Sequence, residues 1–537
     1  MKTHPFYYAF LAIFLSIEAV AKPISASGDG VLGPYSTVDF KITDGSCTDC
    51  NTLPQALWYF KDQTIAVAST HSIAQFYRNE QVQADIASWS TDNPELLVPP
   101  PLVWLGSKQV IAEAAISKDG KNINEPDGNV LAFRLFPQLA TNQSYWNKDT
   151  LDFFTQRTVR LRGEIDLGHF TARTIWPLDY NFPLNAKAKP LTDKESIQSL
   201  VQFENGGAKS NYQARLLWER NPDEARQAPG HAVIGLMLNG AQGDDDEAHG
   251  GHFGIVTGAF EKDGNWSRWL VNNFYNLDSY SEKGIVAAVT PMDKYLMDLN
   301  NGQSYYRPSY MLVATFKDEK AAQLYQAAVN RVYNHFYRHD FTYNHSLNNC
   351  AGISIDIFRT LGWNIPKQGA ESYLKAIAAY FYVAGTELSL DKAKNIYDYL
   401  ATESTRVYPA VTFDAMSNDL IALAQGKASR TLTPLEQNML ENIESIWFVR
   451  IPQLPSSRAY GLAPVYSFEQ YMEQAPQDRS QWKIIPTSPR PFPDAMRDGL
   501  ALHPQKIFVV PLPVALTAMV LIFILMKLLG KLRKRRA

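Results

Sequence analysis

Cysteine is scarce in this chain, with three in 537 residues, two of them three positions apart. So small a set excludes a fold stapled throughout by disulfides. Charge is also low, at 20% Asp, Glu, Lys and Arg with a net charge of −3. Outside the last few residues there is no basic face, zinc knuckle or aromatic-basic repeat, so a nucleic-acid partner is not expected. No internal repeat is present. What the chain does hold is apolar material, 45% hydrophobic and 12% aromatic. That is enough to bury substantial cores over about two to four domains.

The two ends carry the strongest physical signals. After Lys2 an apolar stretch from Phe6 to Ile17 leads into Ala19-Val20-Ala21, the small-residue pattern of a signal-peptidase site. A signal peptide over 1–21 is expected, because a stretch this short cannot cross ~30 Å of hydrocarbon as a helix. Far downstream, 507–526 is free of charge and long enough to span. Lys527, Lys531, Arg533, Lys534, Arg535 and Arg536 follow it, and such a cluster stays on the cytoplasmic side. The expectation is an inner-membrane protein with a single span, a cytoplasmic tail at 527–537 and its body in the periplasm or extracytoplasmic space.

In an oxidising compartment Cys47 and Cys50 can join as a small structural disulfide, which leaves Cys350 as the odd thiol. Cys350 stands in Asn348-Asn349-Cys350-Ala351-Gly352-Ile353, with Ile353, Ile357 and Leu361 at helical spacing and Gly362 as a stop. The pattern predicts a helix that Cys350 opens. There the unpaired N–H groups and the helix dipole favour a thiolate, and the same N–H groups can receive an oxyanion.

An imidazole is offered by His249-Gly250-Gly251-His252-Phe253-Gly254-Ile255-Val256, read as a glycine-bearing strand. Its hairpin partner, after a turn at Asp263-Gly264, is Trp269-Leu270-Val271-Asn272-Asn273-Phe274. One of the two adjacent amides can hold the ring in the right tautomer. Alternation puts one on each face. Asn272 is assigned the orienting role, with Asn273 and Asn349 kept as further orienter or oxyanion candidates.

A strand of the form His-aromatic-Gly-Ile-Val, followed about 100 residues later by Asn-Cys opening a helix, resembles the circularly permuted branch of the papain-like NlpC superfamily. Lecithin:retinol acyltransferase and the bacterial lipoprotein N-acyltransferases belong to that branch. The resemblance covers about one third of the chain, from 191 to 362. It implies acyl transfer or hydrolysis by a thiol, with Cys350 as nucleophile, His252 as base and a polar residue of the next strand as orienter. It implies no cofactor, and membrane lipid or lipoprotein as substrate. The chain departs from the pattern in the acidic run Asp244-Asp245-Asp246-Glu247 and in lacking a third His. Relatives that cleave cell-wall peptides leave the substrate open.

Two other classes compete. Asp244, Asp245, Asp246, His249 and His252 have the ligand inventory of a zinc or manganese site, which would make a metal-dependent hydrolase. A non-catalytic envelope scaffold would simply bury Cys350. His335, His339 and His345 read as packing near the site, whereas His71, His169 and His231 show no partner pattern.

The expected architecture is α+β. A β-rich N-terminal domain (27–185) precedes the permuted papain-like catalytic domain (186–365). A helical region (366–451) and a Pro-rich linker (452–506) then lead to the span.

Overall fold

The computed structural model describes residues 30–70, 81–92, 98–140, 142–223, 228–242, 250–277, 287–340, 342–456, 459–481, 492–496 and 509–536. The expected signal peptide, most of 482–508, His71, the Asp244–Glu247 run and His249 lie outside these residues.

Long, almost uninterrupted apolar runs such as Ala232–Asn239 and Ile443–Ile451 form strands buried on both faces. They belong to a ten-stranded mixed sheet. Its spatial order is Gln213–Glu219, Ile443–Ile451, Ser309–Phe316, Ala232–Asn239, His252–Ala259, Leu270–Asn273, Ala288–Pro291, Leu102–Gly106, Thr64–Ala68, Phe40–Asp44. Neighbours run antiparallel except where Ala288–Pro291 meets Leu102–Gly106. Five further strands between Gln109 and Pro177 close a barrel.

Alternation along each strand divides the core in two. Ile234, Leu236 and Leu238 pack with the helices on one face, while Val233 and Met237 pack with the barrel on the other. Arg162–Asp293 and Arg173–Asp298–Lys294, all buried, tie barrel strands to the helix Met292–Met297 beneath the sheet.

The mixed α+β class expected from the sequence is what the chain adopts, but its parts are distributed differently. Residues 27–185 do not make one unit, since Phe40–Asp44, Thr64–Ala68 and Leu102–Gly106 extend the large sheet and only the later strands form the barrel. The stretch expected to be wholly helical ends in Ile443–Ile451, a strand between Gln213–Glu219 and Ser309–Phe316. Its β-branched and aromatic residues outweigh helical spacing once both faces are covered.

The site and the anchor are built from three strands, β1 (Ala232–Asn239), β2 (His252–Ala259) and β3 (Leu270–Asn273), and five helices, α1 (Lys320–Tyr337), α2 (Cys350–Leu361), α3 (Tyr373–Glu387), α4 (Leu390–Ala401) and α5 (Leu512–Arg536). Within α5 lies one candidate span, Leu512–Leu532, of 21 residues. It is displaced from the expected 507–526 because the helix starts only after Pro511 and then runs on through Lys527 and Lys531. Long lysine stems allow this, since their ammonium heads can reach the interface. Cys47 and Cys50 are joined in a disulfide, and Cys350 is free and buried.

Candidate functional site

The antiparallel hairpin β2–β3 pairs Ile255 with Asn272 and Val256 with Val271. Residues directly opposite share a face, so this register fixes where each amide points. Asn272 faces α1 with Ile255. Its Nδ2 donates to Gln326 Oε1 at 3.1 Å, and its Oδ1 accepts from Gln326 Nε2 at 3.0 Å. Asn273 faces the other way and meets the imidazole, with His252 Nε2 2.5 Å from Asn273 Oδ1. Asn272, expected against the imidazole, thus faces α1 instead, and Asn273 is the amide that meets the ring. Tyr333 of α1 fixes that residue from behind, its hydroxyl donating to the Asn273 carbonyl at 3.1 Å.

The bond also sets the tautomer. A carboxamide oxygen only accepts, so Nε2 carries the hydrogen and Nδ1 keeps the lone pair.

Cys350 opens α2, and Asn349 is its N-cap. Asn349 Oδ1 accepts from the Ala351 and Gly352 amides at 3.0 and 2.9 Å, while its Nδ2 donates to the carbonyls of His345 and Val407 at 3.0 and 2.8 Å. Both polar atoms of its side chain are thus engaged with backbone groups, which speaks against the expected orienter or oxyanion role of that side chain. Gly362 ends α2 at φ 106°, a left-handed conformation that a glycine adopts without strain.

The thiol sits within hydrogen-bonding reach of the Phe253 backbone and the Tyr343 hydroxyl. Phe253 is the residue next to His252, so the thiol lies against the backbone at the start of β2. The aromatic rings close the group: His252 lies 5.4 Å from Tyr275, which stacks on Tyr343 at 6.4 Å, and the Cys350 amide donates to the Tyr343 hydroxyl at 3.3 Å.

Beside them runs a second polar wall. Tyr295 donates to Asn239 Oδ1, and Asn239, paired with His252 across the sheet, donates to Ser309 Oγ at 2.8 Å. Arg307, 1% exposed, donates to Gln303 at 2.7 Å and to the Gly240 carbonyl at 3.3 Å. Among the described residues no carboxylate pairs with it.

Burial dominates the electrostatics. It raises the Cys350 thiol above its ordinary value, and the bonds from Phe253, Tyr343 and Ala351, with the Arg307 charge, recover only part of that shift. Burial, then the Arg307 charge, pushes His252 down to about 3 against the opposing Asn273 bond. The resting pair is therefore a neutral thiol and a neutral imidazole, a correction to the thiolate expected from the helix start. Two of the first N–H groups of α2 are taken by its own cap, so little of the helix end remains to hold the charge.

Of the other histidines, His335 and His339 lie elsewhere, while His345 borders the site through Tyr343 and Asn349. His335 bridges Asp340 and Asp85 at 3.0 and 3.2 Å, and Asp85 also holds Arg331 at 2.7 Å. Burial works against the proton on His335, but the Asp340 and Asp85 carboxylates outweigh it and raise the pKa. His339 stacks near Tyr59 and Phe492, and His345 meets the Tyr343 ring edge-on. His231 pairs with Glu444. Of the carboxylates and histidines read as a metal set, only His252 is described, and its ring is engaged with Asn273. Among the described residues the one group of potential ligands is Cys47, Asp49 and Cys50, whose sulfurs are already bonded to each other.

Tyr343, Tyr295, Asn239 and Arg307 carry no sequence signal. They are scattered along the chain between Asn239 and Tyr343 and converge only through the sheet order.

The class of arrangement is thus a thiol at a helix start, an imidazole on the adjacent strand and a carboxamide on the next. No family model, curated protein or solved structure matches the chain.

Proposed function

We propose that the chain is a membrane-anchored, extracytoplasmic thiol enzyme of the permuted papain-like type, a transferase or hydrolase acting on acyl groups of envelope lipid or lipoprotein. The observation that carries this reading is the His252–Asn273 bond beside Cys350, because it orients a lone pair on Nδ1 rather than merely filling a core.

Attack by sulfur on the acyl carbonyl passes the thiol proton to His252 Nδ1 as the C–S bond forms. The carbonyl electron pair moves to oxygen, where the Tyr343 hydroxyl, which accepts from the Cys350 amide, can donate its own hydrogen. Collapse expels the alcohol or amine, which takes its proton from His252 and leaves a thioester. An incoming amine or water then attacks the thioester and gives its proton to His252; the C–S bond breaks, the acyl product leaves and His252 returns the proton to sulfur. Arg307 favours the anionic sulfur and the neutral imidazole at once.

Asn273→Ala is expected to lower turnover by at least roughly tenfold, since the ring loses its orienter. Asn272→Ala should instead cost about 1–3 kcal/mol of stability by removing two buried bonds to Gln326, which keeps those to Thr257 and Asn330, with turnover per folded molecule retained. Thermal melts and acyl turnover on the same two variants separate these outcomes.

The burial of Cys350 is the observation favouring the scaffold reading. Acyl turnover decides between them when protein in detergent is incubated with envelope lipid extract, before and after iodoacetamide, since a scaffold gives none. Alkylation of Cys350 should abolish acyl turnover while a chelator leaves it intact. Full turnover by the alkylated protein, lost on chelation, would transfer the reading to a metal enzyme.

A further inference from the structure

Helix α3 is apolar on both faces. Its inner side, Ala376 and Tyr380, packs with Ala393, Tyr397 and Leu400 of α4. Its outer side should be polar in a water-facing helix. Instead Leu374, Ala378, Phe381, Tyr382 and Gly385 form one exposed stripe, with Tyr373 at its edge. Leu374 is 81% exposed, Tyr382 71% and Tyr373 61%. The helix carries only Lys375 and Glu387 as charges. By contrast α4 turns Asp391, Lys392 and Asn395 outward, as a solvated helix does.

The turn between the two helices sharpens the contrast. Leu388 caps α3 with φ 51°, where glycine or asparagine is the usual residue, and it is 88% exposed. A left-handed leucine projecting into water gains nothing for the strain it carries.

What lies next to this face is the start of the span. Val514, in the first turn of α5, is buried against the α3–α4 core at 1% exposure. The first turn of α5 is therefore packed directly into the hairpin, which sets α3 beside the start of the span. On its other side the hairpin touches the loop leading to the thiol, Ser346 Oγ donating to Asn395 Oδ1 at 3.0 Å.

We infer that the α3–α4 hairpin docks on the membrane surface, burying Leu374, Phe381, Tyr382 and Leu388 in the lipid interface beside the entry of α5. Tyrosine, phenylalanine and leucine on an interfacial helix are the residues that partition there. The body is then held at two points rather than hung from one. The loop leading to Cys350, tied to the hairpin through Ser346 and Asn395, comes to lie near the lipid headgroups. This inference rests on α5 as a span and not on the thiol chemistry.

The test uses the full chain in phosphatidylethanolamine–phosphatidylglycerol vesicles doped with a phospholipid bearing a diazirine on its acyl chain. After irradiation, peptide mass spectrometry should find lipid adducts on residues 373–388 as well as on α5. The double variant Leu374→Glu, Phe381→Glu should lose the hairpin adducts by roughly tenfold or more, with α5 adducts and melting temperature unchanged. Adducts on α5 alone would overturn the docking. So would absence of lipid adducts at 373–388 alongside a protein crosslink there in native membranes, which would give the stripe to a protein partner. Absence of label from both elements would overturn the span and the docking together.

Discussion

Cys350→Ala is expected to cut acyl turnover by about 10⁴-fold or more, and His252→Ala to match it to within roughly tenfold. The double variant should be no worse than either single one, because nucleophile and base act as one unit and removing either empties the other of its role. Both substitutions should leave the fold in place. The thiol is a small member of a large core, and His252 contributes one hydrogen bond to Asn273.

The pH profile distinguishes this base from an ordinary imidazole. With His252 held at about 3, the base stays unprotonated through mild acid, and turnover should be flat from about pH 8 to about pH 5. An imidazole titrating near 6.5 would lose about thirtyfold at pH 5. The sign for stability is opposite to that of a charged, paired histidine. The unfolded chain takes up the proton first as pH falls below about 6.5, so His252 costs stability increasingly down to about pH 3.

The second large effect is structural. Asp298→Ala should destabilise the protein by about 3–5 kcal/mol, because it strands two buried cations. Burial would raise that carboxyl, but Lys294 and Arg173 hold it down to about 2. Arg173 Nε lies 2.8 Å from Asp298 and Lys294 Nζ 3.1 Å, and Lys294 also sits over the Trp104 ring. These contacts join the barrel to the sheet. Hydrogen exchange should therefore rise first in Thr158–Asp166, His169–Pro177 and Met292–Met297, ahead of α2. Asp49→Ala, which breaks an exposed pair with Lys41, should change nothing measurable.

Helix α2 is legible in the sequence because its determinants are local. Asn349 caps it, Gly362 stops it and the apolar spacing runs between them. The strand bearing His252 is legible for the same reason. Which of two adjacent asparagines meets the ring is not, since that depends on a register set by pairing partners far along the chain. A one-residue slip exchanges Asn272 and Asn273. Charge state is hidden by burial: the helix dipole is visible in a sequence, whereas the cover supplied by Tyr343 and the β2 backbone is not. Ile443–Ile451 shows the same limit, its strand character coming from two neighbours, Gln213–Glu219 and Ser309–Phe316, that lie far earlier in the chain.

Formation of an acyl-enzyme on Cys350, with His252 as its base, shows in the mass of the protein itself. Full-length protein in detergent is incubated with envelope lipid extract, quenched in acid and digested. A lipid-sized adduct on Cys350, released by neutral hydroxylamine and absent from His252→Ala, is the predicted result. Continued acyl turnover by Cys350→Ala with no adduct on the wild-type peptide would contradict it.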